Sequence, residues 1–73
     1  MEQLEYLVVI EQGARIFGAF VPDLPGCVAV GKSREEVEIS IQEAIEAHIK
    51  ELRAEDKRVP RPRSIPLQVT VNA

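Results

Sequence analysis

The chain has 73 residues, a formal net charge of −3 and a pI near 5.1, with one cysteine and one histidine. That length holds a single domain, residues 1–73, with a marginal core, because so short a chain buries only about 60% of its unfolded surface. The lone cysteine excludes an internal disulfide, and with one histidine it cannot build a structural zinc site; the acidic balance argues against nucleic-acid binding by the whole chain.

Leu4 to Ile10 reads as the first strand. Leu4, Tyr6, Val8 and Ile10 form one face, and Leu7 and Val9 make the other mostly apolar too, so a central place in the sheet is expected. Gln12-Gly13 is a hairpin-turn candidate, and Arg15 to Val21 the second strand. Next comes Pro22-Asp23-Leu24-Pro25-Gly26. The prolines fix φ and remove two donors, and Pro25-Gly26 reads as a corner at which Gly26 takes positive φ. Cys27 to Val30 is the third strand.

Ser33-Arg34-Glu35-Glu36 has the capping-box pattern, with Ser33 as cap and Glu36 as its partner. Val37, Ile41, Ala44, Ile45, His48 and Leu52 then recur at helical spacing, and Glu46 and Lys50 are placed to pair. The helix is expected to fray near Asp56, before the extended Val59-Pro60-Arg61-Pro62 segment. Leu67, Val69 and Val71 alternate with polar residues and predict a last strand. The order is βββαβ, an α+β fold: a four-stranded mixed sheet of order 3-2-1-4 with one helix packed on one face. The other face then lacks cover, and so marginal a core has no staple, so a homo-oligomer is expected.

No apolar run approaches the ~18 residues of a membrane span, and the acidic start Met1-Glu2-Gln3-Leu4-Glu5 is not a signal peptide. The lone thiol and the lack of an export signal point to the cytoplasm. Arginine outnumbers lysine six to three, with few Asn, Ser or Thr, a composition suggestive of a thermophile.

Few residues suggest chemistry. His48, inside the apolar stripe, reads as packed rather than as a base or ligand, and Cys27 as a small packed thiol. Asp23 reads as an acceptor for amides of its own turn, and the basic run Lys57, Arg58, Arg61 and Arg63 as a solvated linker. No catalytic residue, metal ligand or cofactor is assigned. Ile39 sits opposite the stripe among charged residues; it is an ordinary exposed apolar residue or a partner anchor, and the sequence does not choose.

The run Val21-Pro22-Asp23-Leu24-Pro25-Gly26-Cys27, the Gly31-Lys32-Ser33 lead-in to Glu35-Glu36, and Val59-Pro60-Arg61-Pro62 together resemble the HicB-type antitoxin domain over nearly the whole chain. Lys32 stands where that family commonly has Asp, and Val37 where a small Ala is common. The resemblance implies a truncated ribonuclease H-like fold without catalysis. It also implies binding to a small basic RNA-cleaving toxin of HicA type, a partner suited to an acidic chain. Many members add a DNA-binding module for autorepression; residues 1–73 are expected to lack one, with no direct nucleic-acid contact. The expected contributors to toxin binding are Glu35, Ile39, Glu43 and Glu46. The alternatives are an orphan oligomeric scaffold without a toxin and a residual metal-dependent nuclease, which would need several carboxylates to converge.

Overall fold

The structure, a computed structural model, describes residues 3–73. Three strands, β1 (Val9–Gln12), β2 (Phe17–Phe20) and β3 (Val28–Gly31), precede one helix, α1 (Arg34–Ala54). The sheet is antiparallel throughout, in the order β1-β2-β3. Register puts Ile10, Ala19 and Ala29 in one row, and Val9, Phe20 and Val28 in the next. Adjacent rows point to opposite faces. The first row faces the helix and the second faces away.

Each connection has a local cause. The first hairpin closes where the Gly13 amide donates to the Ile16 carbonyl at 2.8 Å, so the turn spans 13–16 and β2 begins at Phe17 rather than Arg15. The second is two consecutive β-turns. Leu24 N–H donates to Val21 O and Cys27 N–H to Leu24 O, both at 3.0 Å, each turn with a proline in its second position. Gly26, at φ +84, occupies the third position of the second turn, as a type II turn demands. Leu24, between the turns, is fully buried.

Ser33 caps α1: its hydroxyl accepts from Glu36 N–H at 3.1 Å, and its carbonyl accepts from Val37 N–H. Gly31 lies directly under this turn, where an added Cβ would come within 2.7 Å of the Val37 nitrogen. The strand can meet the helix backbone here only as glycine. At the far end Asp56 adopts φ +57; its amide donates to Arg53 O, and Lys57 N–H to Leu52 O at 2.8 Å. This is a Schellman termination with Asp in the usual glycine place.

The helix packs over β2 and β3. Ala19, Val21, Leu24, Cys27, Val37 and Ile41 form the buried core, flanked by Tyr6, Val8, Ile10, Phe17, Ala29, Ala44 and Ile45. Burial pushes the Cys27 thiol above its ordinary pKa, in keeping with a packing role.

Several expectations need correction. The first strand runs Val9–Gln12 rather than Leu4 to Ile10. The fourth strand over 67–71, and with it the order 3-2-1-4, is not seen: residues 59–73 carry no strand pairing, and β1 is an edge strand rather than a central one. The cause lies upstream. Tyr6 Oη donates to Pro60 O at 2.6 Å, and Asp23 then holds the backbone at Arg63 and Ser64. The chain is drawn across the sheet end, from the residues before β1 to the turn after β2, and leaves the β1 edge behind. The i,i+4 ion pair that forms on α1 is Arg34–Glu38 at 2.8 Å, not Glu46–Lys50.

Candidate functional site

The exposed face of α1 carries all four residues expected to meet a partner. At ~100° per residue Glu35, Ile39, Glu43 and Glu46 fall within about 80° of arc. All four are exposed, Ile39 to 61%. The arrangement is one aliphatic side chain with three carboxylates along its arc, an arc that Lys50 and Arg53 share towards the end of the helix, on a helix whose opposite stripe is held down by Val37 and Ile41. Such a face favours positive surfaces through its charge, and a central apolar anchor adds desolvated contact area. His48 is half-buried on the flank of the core stripe.

The proline-rich turn has a role that the sequence hides. Asp23 accepts three hydrogen bonds, each 2.9 Å: from the backbone N–H groups of Arg63 and Ser64, and from the Ser64 hydroxyl. Its partners lie some 40 residues away, not in its own turn as expected. The Arg63 amide foremost, then the Ser64 amide, and to a lesser degree the Ser64 hydroxyl and the Arg63 charge, hold the carboxyl below its ordinary 3.8 against the opposing effect of desolvation. Asp23 is therefore a clamp on the C-terminal segment. Pro22, Pro25 and Gly26 shape the double turn that presents it, and Ser33 with Glu36 fixes where the acidic helix begins.

Beside this clamp the basic residues gather. Arg53, Arg58 and Arg61 line, with Leu4 and Val59, a concavity of about 340 Å³. Among the described residues, no three His, Cys, Asp or Glu side chains come together as a metal-ligand set. No helix among the described residues is long and apolar enough to cross a membrane.

Two apolar surfaces were only partly foreseen. On the uncovered sheet face Val28 and Val30 are each 65% exposed, next to Phe20 and Ile16. Two concavities lie near the free edge of β1. One of about 530 Å³ has Leu4, Tyr6, Ile45 and Ile49 among its walls, together with Glu46, Lys50 and Arg53, and a second of about 480 Å³ has Val8, Ile10 and Phe17 with Gln12 and Arg34.

The chain matches, over residues 6–72, the family described as the HicB-like antitoxin of bacterial toxin–antitoxin systems. It is similar to a UPF0150 protein of Thermoplasma acidophilum, 37% identical over 73 aligned residues that cover 96% of this chain and all of that protein. A UPF0150 protein of Helicobacter pylori is 48% identical over 48 residues, 66% of this chain and 67% of its own length. A 14.9 kDa protein of Haemophilus phage HP1 is 31% identical over 67 residues, 92% of this chain but 49% of the phage protein. No solved structure matches.

Proposed function

The chain belongs to the HicB-like antitoxin family, and on that premise we propose that it is a non-enzymatic protein-binding module that neutralises a small basic RNA-cleaving toxin of HicA type. The observation that carries this reading is the exposed acidic face of α1, with Glu35, Glu43 and Glu46 around Ile39. Carboxylates at the rim steer a basic partner into contact, and an apolar anchor at the centre slows its escape. The core strands present aliphatic side chains and offer a nuclease mechanism no support, since two-metal hydrolysis needs converging carboxylates.

The proposal includes self-association. The uncovered sheet face with Phe20, Val28 and Val30 exposes contiguous apolar surface, which folded monomers rarely leave to water.

Co-expression with the adjacent reading frame tests the partner. A small basic protein should co-purify with the chain, and the chain should restore growth arrested by that protein alone. If no such protein co-purifies and growth is not rescued, the antitoxin reading fails and an orphan scaffold remains.

A further inference from the structure

We propose that residues 65–71 form an exchanged arm: each copy of the chain lays this segment along the β1 edge of a second copy, its apolar stripe filling a groove beside that edge. This deepens the self-association proposed above by naming its means.

The first observation is the arm itself. Ile65, Leu67, Val69 and Val71 alternate on one side of an extended segment and are 71% to 85% exposed. Four aliphatic side chains in a row, with Gln68 and Thr70 on the other side, have the pattern of a strand with one buried face. The segment lacks only a sheet to bury that face. The molecule is also elongated: the radius of gyration is 14.0 Å and the longest dimension 47 Å, against about 11 Å for the radius of a compact chain of this length.

The second observation is a place of matching shape. Among the described residues β1 pairs only with β2, so its outer backbone groups are open to another strand. Near that edge lie two concavities: one of about 530 Å³ sets Leu4 and Tyr6 against Ile45 and Ile49, with Glu46, Lys50 and Arg53 also in its walls, and one of about 480 Å³ sets Val8, Ile10 and Phe17 beside Gln12 and Arg34. A strand added here would direct alternate side chains into them. Pro66 falls off the apolar stripe at the arm's start, where a missing donor is tolerated.

The third observation decides whose groove is filled. The Tyr6–Pro60 bond and the Asp23 clamp on Arg63 and Ser64 carry the chain past its own β1. Pro60, Pro62 and Pro66 stiffen that passage, so the arm leaves the molecule extended instead of folding back. Each copy thus has one arm without a groove and one groove without an arm. Reciprocal exchange about a two-fold axis satisfies both and closes the assembly at two chains. Nine residues follow Ser64 and reach about 30 Å when extended, ample for an edge of this length.

Sedimentation equilibrium of the full chain should give twice 8.1 kDa. Leu67→Asp with Val69→Asp should reduce the mass to one chain while leaving the circular dichroism spectrum unchanged, because both side chains are exposed in the single molecule. In a dimer mixed from differently labelled copies, isotope-filtered NMR should show contacts from the Val69 methyls of one copy to the Tyr6 ring of the other. A single-chain mass for the unaltered protein would overturn both self-association and arm exchange. A dimer that survives the arm substitutions but splits on Val28→Asp with Val30→Asp would overturn arm exchange alone and assign the interface to the open sheet face. A dimer without the filtered contacts would also overturn it.

Discussion

At Gly26 the backbone sits at φ +84, and nothing lies within 4 Å of where a Cβ would be, so substitution there is opposed by torsion alone. Gly26→Ala should cost about 1 kcal/mol and Gly26→Val more, read as a lower urea midpoint with an unchanged slope. Gly31 is the opposite case. Its φ is unexceptional, but a Cβ would strike the α1 backbone at Val37. Gly31→Ala should cost about 1–3 kcal/mol by prising strand from helix. Asp23 adds a pH dependence of definite sign. Its carboxyl is held below the ordinary 3.8, so the fold favours the ionised form, and the clamp's contribution is complete above that value. It fades as pH falls from 3.8 through the lowered folded-state value. Hydrogen exchange at the Arg63 and Ser64 amides should be slow at neutral pH and quicken across that window relative to intrinsic rates. In Asp23→Ala it should be quick at every pH.

At the scale of elements, the helix ends offer two opposed tests. Ser33→Ala removes the acceptor for Glu36 N–H and should cost about 1 kcal/mol. Asp56→Gly should stabilise by about 1 kcal/mol, because it relieves a left-handed non-glycine residue and removes an anion from the negative end of the helix dipole. Denaturant midpoints should shift in opposite directions. The start was legible in the sequence because the Ser33 cap and Glu36 lie within four positions of one another; the end near Asp56 was legible from the prolines that follow, while the left-handed Asp56 itself was not foreseen. The core stripe of Val37 and Ile41 and the positive φ at Gly26 were legible, like the start, from residues close in sequence. The Asp23 clamp was not, since its partners lie some 40 residues away and backbone amides carry no sequence mark. The alternation at 65–71 was read as a strand of the same sheet. The pattern states which side chains seek burial, but not against which sheet, and here the clamp carries the segment elsewhere. Placing Leu4 to Ile10 at the sheet centre failed with it, because apolar residues on both faces also suit an edge strand flanked by a groove.

For the whole molecule, the account joins a small core with surfaces that remain to be covered. The helix side of the sheet is closed by α1; the β1 groove, the open sheet face and the acidic helix face are not. The acidic face was legible in outline, since Glu35, Ile39, Glu43 and Glu46 share an arc in any regular helix, while the groove emerged only once β1 proved to be an edge. The acidic face is also where the central claim is most directly tested. The measurement is the association rate of the basic protein from the adjacent reading frame with the chain and with its Glu43→Lys, Glu46→Lys variant, across a salt series. The account predicts fast, salt-sensitive association for the unaltered chain. For the variant it predicts a rate at least about tenfold lower at low salt with a flattened salt dependence, at an unchanged melting temperature. Equal rates and equal salt slopes for the two proteins would contradict it.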